Sequence, residues 1–110
     1  MNLISGELLG ISVVLPILNE ERYLEDTVAA ILAQDYAGEF EVILALGPSK
    51  DRTDEIAARI AESDSRVILV ANPTGRTAVG LNVAIAAAKF PIISRIDGHA
   101  QISKNYLAIA

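Results

Sequence analysis

The stretch ISVVLPILNEE, residues 11–21, decides the fold of this chain. Its first five residues are a continuous apolar run closed by Pro16, a pattern typical of a strand buried on both faces. Asn19 follows at a position expected to cap a helix. Glu20 and Glu21 then place negative charge where the N-terminus of a helix favours it. The stretch therefore predicts a buried strand that leads directly into a helix.

Apolar residues at helical spacing continue the pattern, and the strand–helix order then repeats along the chain. The predicted strands cover residues 11–15, 41–46, 66–70 and 92–96, and the predicted helices carry Leu24, Val28, Ile31 and Leu32, then Ile56, Ala57 and Ile60, then about residues 77–88. Strands that alternate with helices of about a dozen residues predict right-handed βαβ units. We expect an α/β fold with a parallel sheet of about four strands and flanking helices.

Composition restricts the class of protein further. Of the 110 residues, 52% are hydrophobic and 5% are aromatic. The net charge is −5, and the sequence contains no cysteine. A nucleic-acid binder or a protein held on anionic lipid would need a basic cluster, which this sequence lacks. Without cysteine there is neither a disulfide nor a thiolate metal site. The N-terminus is a poor signal peptide, and no apolar run approaches the ~20 residues of a membrane span. We expect a cytoplasmic protein.

Polar residues gather immediately after the predicted strands, at residues 16–20, 47–51, 72–76 and 97–99. Ligands of open parallel sheets bind beyond the carboxyl ends of the strands, so this distribution predicts a binding site there. The first strand is not followed by a glycine-rich turn, and the sequence contains no P-loop. A Ser–His–Asp triad has little support, because the single histidine follows an Asp-Gly turn without a nucleophile elbow.

Asp97 and His99 are the sharpest candidates for chemistry. Two residues apart at a strand end, their side chains have the spacing to share a divalent metal such as Mn²⁺. The alternative interpretation is a simple Asp-Gly turn in which Asp97 pairs with Arg95. Arg76 precedes a helix N-terminus, where an anion is favoured by both charge and dipole, and its alternative is a solvated surface arginine.

Four segments together resemble family 2 glycosyltransferases of the GT-A fold. They are ISVVLPILNEERYLEDTVAAILAQDY (residues 11–36), FEVILALGPSKDRTDEIA (40–57), NPTGRTAVGLNVAIAAA (72–88) and IISRIDGHA (92–100). Each motif is degenerate, but their order and spacing are specific, and the resemblance covers nearly the whole chain. The resemblance implies a Rossmann-like, nucleotide-sugar-binding half of a GT-A domain.

The resemblance also implies a nucleoside-diphosphate sugar donor, a divalent metal (Mn²⁺ or Mg²⁺) and inverting transfer to a saccharide or lipid-linked acceptor. Asp97-Gly98-His99 is similar to the Asp-Ala-His motif of bacterial exopolysaccharide glucosyltransferases, within a family that usually has Asp-x-Asp. The positions carried over are Pro16, Leu18, Asn19 and Glu20 for the nucleoside, Arg76 for the diphosphate, Asp97 for donor and metal, and His99 for the metal.

Two departures from the family pattern limit these expectations. Leu46 and Gly47 stand where the family has one or two aspartates, one of which contacts the base. The family's catalytic carboxylate lies further downstream than Ala110, so no catalytic residue is assigned here. We therefore expect residues 1–110 to be a single truncated domain, inactive alone, whose longer parent could lie at the inner face of the membrane. The alternative function is a non-catalytic α/β module, receiver-like or oligomerising.

The truncation itself leads to an expectation about assembly. The segment from Ser103 to Ala110 could open a further helix, but the chain ends before that helix could pack. We expect Tyr106, Leu107 and Ile109 to remain exposed and to drive formation of a homo-oligomer.

Overall fold

The structure, a computed structural model, describes residues 3–4 and 7–109, with side chains from residue 9 to residue 108. The elements follow the order β1 (Leu3–Ile4), β2 (Glu7–Leu8), β3 (Ile11–Ile17), α1 (Leu24–Leu32), β4 (Phe40–Leu46), α2 (Thr53–Ser63), β5 (Val67–Ala71), α3 (Thr77–Ala87), β6 (Ile92–Arg95) and α4 (Tyr106–Ile109). β1 and β2 pair antiparallel as a small two-stranded sheet that the sequence pattern did not predict.

The main sheet has four parallel strands in the order β5-β4-β3-β6. This confirms the predicted α/β class and the number of strands in the sheet. β3 continues two residues beyond its predicted end at Leu15, through Pro16. Proline is tolerated there because β6 pairs only with residues 11–14 of β3, so that Pro16 is paired with Ala45 of β4 alone.

The two faces of the sheet are covered unequally. One face packs against α1, α2 and the segment after β6, and its core includes Val13, Leu15, Val28, Val42, Leu44 and Ala57. The other face is covered by α3, where Ala84 packs with Val14, Ile43 and Ala45. The small side chains of α3 allow this close approach. β3 and β4 are thus buried on both faces, which explains their unbroken apolar runs.

A buried polar group joins three elements at the end of the sheet where the strands begin. The Glu41 carboxylate accepts hydrogen bonds from the Ser12 hydroxyl (2.7 Å) and the Lys89 N–H (2.8 Å). The Ser12 oxygen accepts a bond from the Phe90 N–H at 3.1 Å. Ser12 and Glu41 are 0% and 4% exposed, so these bonds satisfy groups that would otherwise be buried without partners.

The predicted exposure of the C-terminal segment is wrong for the residues described. Leu107 is 2% exposed and belongs to the larger core, against which Tyr106 is also packed. The Leu107 N–H donates to the Gln34 side chain (2.9 Å), and Gln34 donates to the Ser103 carbonyl (2.7 Å). The side chain of Ile109 lies outside the described residues. In the described part of the chain, no helix is both long and apolar enough to cross a membrane.

Candidate functional site

The carboxyl ends of the four parallel strands bring the predicted polar segments to one edge of the sheet. A cleft of about 230 Å³ opens there between the ends of β3 and β6 and the start of α3. Its lining consists of Pro16, Leu18, Glu20, Thr77, Arg95, Asp97, Gly98 and His99. Five of the seven residues predicted from sequence therefore lie together in one cleft. Asn19 and Arg76 are not among its lining residues.

Two polar side-chain contacts organise this cleft. The His99 Nδ1 atom lies 3.4 Å from the Glu20 Oε1 atom, although 79 residues separate them in sequence. An Arg95 guanidinium nitrogen lies 3.4 Å from the Asp97 Oδ1 atom, so the pairing expected of the turn interpretation is present. Both side chains of the second pair are about half exposed, which leaves the Asp97 carboxylate accessible to a ligand.

Gly98 lies between the two candidate ligands because there is no space for a larger residue. A Cβ atom at this position would lie 2.8 Å from Ile17 Cδ1 and 3.1 Å from the Cγ atom of Glu20. Both distances are shorter than ordinary van der Waals contact. Gly98 therefore lets the segment after β6 approach Glu20 closely enough for the contact with His99.

Asn19 does not cap α1, contrary to the prediction. The helix begins at Leu24, after Tyr23, which makes no side-chain capping bond. Asn19 adopts a left-handed conformation (φ 51°), which asparagine tolerates better than most residues. Its N–H donates to the Ser49 hydroxyl (2.9 Å), and its side-chain oxygen accepts from the Lys50 N–H (2.7 Å). Asn19 therefore joins the loop after β3 to the loop after β4.

Glu20 and Glu21 extend the connection between these two loops. The Glu20 N–H donates to the Thr53 hydroxyl (2.8 Å), and the Glu21 N–H donates to the Asp51 carboxylate (3.2 Å). Asp51 also accepts a hydrogen bond from the N–H of Thr53 (3.0 Å), the first residue of α2. Hydrogen bonds from the Thr53 hydroxyl, the Thr53 N–H and the Glu21 N–H lower the pKa of Asp51, and desolvation opposes them.

Leu46 and Gly47, which replace the family's aspartates, lie at the end of β4. A Cβ atom on Gly47 would be 3.0 Å from Leu18 Cδ1 and 3.1 Å from the Ile17 carbonyl oxygen. An aspartate at position 47 would therefore require Leu18 and the Ile17 backbone to shift slightly.

Arg76 lies at the N-terminus of α3, next to the cleft residue Thr77. Its carbonyl accepts a hydrogen bond from the Asn72 side chain (3.0 Å), and its N–H donates to Thr74 (3.1 Å). These bonds fix its backbone, whereas its side chain is exposed. Asn72 is 2% exposed, so the turn before α3 is held from inside the fold.

The donor atoms of the cleft fit a divalent cation shared with a ligand. The cleft offers two carboxylates and an imidazole, from Glu20, Asp97 and His99, and this mixed donor set suits Mn²⁺. Within residues 9–108, no three His, Cys, Asp or Glu side chains are grouped closely enough to hold a metal by themselves. Ions of this kind often take only one or two protein ligands and complete their coordination with substrate phosphates.

Comparison with known proteins identifies the class to which this fold and cleft belong. Residues 12–109 match the family model described as "Glycosyl transferase family 2". The chain belongs to this family. It is 33% identical over 96 residues to the succinoglycan biosynthesis protein ExoA of Rhizobium meliloti, covering 86% of this chain and 29% of that protein.

Two solved structures share the fold. The mannosyltransferase PcManGT from Pyrobaculum calidifontis, solved with GDP-Man and Mn²⁺, is 29% identical with a TM-score of 0.77, covering 89% of this chain and 30% of that one. S. aureus TarS in complex with UDP-GlcNAc is 25% identical with a TM-score of 0.77, covering 92% and 30%. The chain spans less than a third of the length of each of these three proteins.

Some residues of the cleft were not found from sequence. Thr77 was treated only as the start of a helix. Thr53, which holds the backbone of Glu20 from outside the cleft, was not predicted to support the site. The contact between Glu20 and His99 was also missed, because it depends on β3 and β6 being neighbours in the sheet.

Proposed function

We propose that this chain binds a nucleoside-diphosphate sugar as the donor part of an inverting glycosyltransferase. The observation that carries the proposal is the cleft that Glu20, Asp97 and His99 line at the carboxyl ends of a parallel sheet. The family of the chain and the nucleotide sugars bound in PcManGT and TarS support it. The match to ExoA supports a role in polysaccharide biosynthesis.

In this proposal the seven residues predicted from sequence, five of them in the cleft, contact different parts of the donor. Pro16, Leu18, Asn19 and Glu20 lie along the nucleoside, and Arg76 approaches the diphosphate beside the N-terminus of α3, where negative charge is favoured. Asp97 and His99 would hold a divalent ion, Mn²⁺ or Mg²⁺, which when bound would neutralise charge on the leaving diphosphate. The exposed half of Asp97 is available for this purpose despite its contact with Arg95.

The transfer itself needs a further group. The acceptor hydroxyl oxygen forms a bond to the anomeric carbon, the bond from that carbon to the diphosphate oxygen breaks, and the diphosphate leaves with the electron pair. The hydroxyl proton passes to a base, for which we assign no residue of this chain. We propose that a carboxylate elsewhere in a longer protein takes it, so that residues 1–110 bind donor without catalysing transfer to a saccharide or lipid-linked acceptor.

Thermal unfolding with nucleotides tests the donor-binding proposal. UDP, GDP and ADP are each added at millimolar concentration with Mn²⁺, and at least one is expected to raise the melting temperature, because a ligand that binds only the folded state stabilises it. Omission of Mn²⁺ should reduce the shift. If no nucleotide raises the melting temperature, the proposal is wrong. Stabilisation by acetyl phosphate instead would favour the receiver-like alternative, which the comparisons do not support.

We also propose that the chain associates with a second copy of itself. The surface concerned differs from the predicted one: Ile68, Ile85 and Ile93 are each exposed by 38–46% on the α3 side of the sheet. Large apolar side chains exposed on one face of a domain favour association. Light scattering at high concentration should give a mass above that of a monomer, and Ile85→Ser with Ile93→Ser should lower it. A monomer at all concentrations contradicts this proposal.

A further inference from the structure

A second cleft lies beside the first and shares His99 with it. Its volume is about 270 Å³, and it opens between the start of α1 and the segment that follows β6. Tyr23, Asp26 and Thr27 line one side, and Gln101 and Ile102 line the other. His99 is a lining residue of both clefts, so the second cleft adjoins the one proposed to bind the donor.

Long-range contacts build the walls of this cleft. The ring centroids of Tyr23 and His99 are 6.4 Å apart with an interplanar angle of 60°. The hydroxyl of Thr27, which is 3% exposed, donates to the Ala100 carbonyl at 3.3 Å and ties the segment after β6 to α1. Tyr23 itself remains 51% exposed, so its ring is available to a ligand.

The side chains around the cleft select for a particular chemistry. Tyr23 offers an aromatic surface, and Asp26 and Gln101 offer a carboxylate and an amide that bind hydroxyl groups. No lysine or arginine is among the described residues that line it. A phosphate would therefore meet the charge of Asp26 without a compensating cation, and would be repelled. A neutral ligand with hydroxyl groups around an apolar face suits this combination.

We propose that the cleft between α1 and the segment after β6 is a saccharide-binding subsite. The ring of Tyr23 stacks against the sugar, and the Asp26 carboxylate accepts hydrogen bonds from its hydroxyl groups. The identity of the ligand rests on the proposed function, since sugars are what such a protein handles. Bound there, a sugar ring lies on the opposite side of His99 from the donor diphosphate. Through Asp26, α1 then takes a direct part in substrate binding in addition to packing against the sheet.

Chemical-shift mapping by NMR tests the subsite without any nucleotide. The methyl glycosides of glucose, galactose, mannose and N-acetylglucosamine are titrated into the labelled chain up to about 100 mM, since single sugars are expected to bind in the millimolar range. At least one should shift the amide signals of Tyr23, Asp26, Gln101 and Ile102. Absence of any such shift, or shifts confined to another surface, overturns the proposal.

Matched variants identify the residues responsible. Tyr23→Ala should weaken sugar binding about tenfold or more and Tyr23→Phe should retain most of it, because the ring supplies the apolar contact. Asp26→Asn should weaken binding several-fold through loss of charged acceptors. Glu25→Gln is the control, since Glu25 neighbours Asp26 but pairs with Arg59 on a different side of α1. Equal affinity in Tyr23→Ala and the parent chain refutes the assignment.

A nucleotide titration in the same spectra separates this inference from the proposed function. UDP or GDP with Mg²⁺ should shift Glu20, Asp97 and Gly98, which line the donor cleft, and should leave Asp26 and Gln101 unchanged. If neither nucleotide shifts the amide signals of the donor-cleft residues, the proposed function is wrong. The saccharide titration then still tests the subsite independently. If a nucleotide shifts Tyr23, Asp26 and Gln101 as strongly as the donor cleft, the subsite is part of the nucleotide site and the inference is wrong.

Discussion

The backbone N–H of Glu20 donates a 2.8 Å hydrogen bond to the hydroxyl of Thr53, and that hydroxyl donates in turn to the carboxylate of Asp51. Glu20 faces His99 in the proposed donor cleft, whereas Thr53 is fully buried and is not among the lining residues. The first residue of α2 therefore determines the backbone position from which the Glu20 side chain reaches the cleft.

Replacement of Thr53 should show this dependence. Thr53→Val leaves the Glu20 N–H without its partner, and we expect a loss of about 1–3 kcal/mol in the free energy of unfolding. Thr53→Ser keeps the hydroxyl and should lose only about 1 kcal/mol with the methyl group. Urea unfolding measures both losses. Hydrogen exchange of the Glu20 amide should accelerate in Thr53→Val alone, and unchanged exchange there would disprove the connection.

Gly98→Ala should disturb the cleft through steric overlap. The added Cβ atom would lie 2.8 Å from Ile17 Cδ1, so we expect a loss of roughly 1–3 kcal/mol in stability, the usual cost of overpacking. Ile17→Val removes that Cδ1 atom, and the double variant should lose less than the sum of the two single variants. Chemical denaturation of the four proteins gives the coupling energy. If the stability losses of the two single variants simply add in the double variant, the overlap with Ile17 does not cause the loss in Gly98→Ala.

The metal assignment predicts the behaviour of four variants in calorimetric titration with Mn²⁺ and nucleotide. Asp97→Asn and His99→Ala should each weaken Mn²⁺-dependent nucleotide binding by about tenfold or more, through loss of a ligand. His99→Asp should restore binding and tolerate Mg²⁺ better, because two carboxylates are harder ligands. Asp54→Asn, on the exposed side of α2, serves as the control. The metal assignment is wrong if His99→Ala binds like the parent chain.

The stability of the loop junction should depend on pH through Asp51. Hydrogen bonds from Thr53 and Glu21 favour its charged form and hold its pKa in the folded chain below the ordinary value. The contribution of Asp51 to the free energy of unfolding is therefore complete above about pH 4, near the pKa of an aspartate in the unfolded chain. This contribution is lost as the pH falls through the lowered pKa of the folded chain. The difference in melting temperature between the parent and Asp51→Asn should be largest near neutral pH and should narrow below about pH 4. A difference that grows on acidification would contradict this prediction.

The fold was largely predictable because each buried strand and helix carries its own periodic pattern. The sheet class, the four parallel strands and the gathering of polar segments at their carboxyl ends all follow from such local signals. Asn19 was misassigned because a capping residue and a residue bonded to Ser49 and Lys50 look alike in sequence. The partner loop is about 30 residues away, and only the pairing of β3 with β4 brings it close.

The prediction that the C-terminal segment is exposed was wrong for a different reason. A short apolar stretch at the end of a chain gives no indication of whether a groove exists to receive it. Gln34 provides that groove with polar partners, by donating to Ser103 and accepting from the Leu107 N–H. A glutamine at the end of a helix carries no signal for such a role, since glutamine in that position is commonly solvated.

The buried bonds of Glu41 and Ser12 have a consequence for the opposite end of the molecule. β6 is an edge strand of four residues, too short for its own side chains to specify strongly where it pairs along β3. The bond from Phe90 to Ser12 fixes the point at which the strand enters the sheet. Seven residues later, about 20 Å away at strand spacing, the same alignment delivers Asp97 to the height of Glu20. A substitution at Ser12 or Glu41 would thus misalign the site residues, and would change the affinity for a ligand that contacts neither Ser12 nor Glu41.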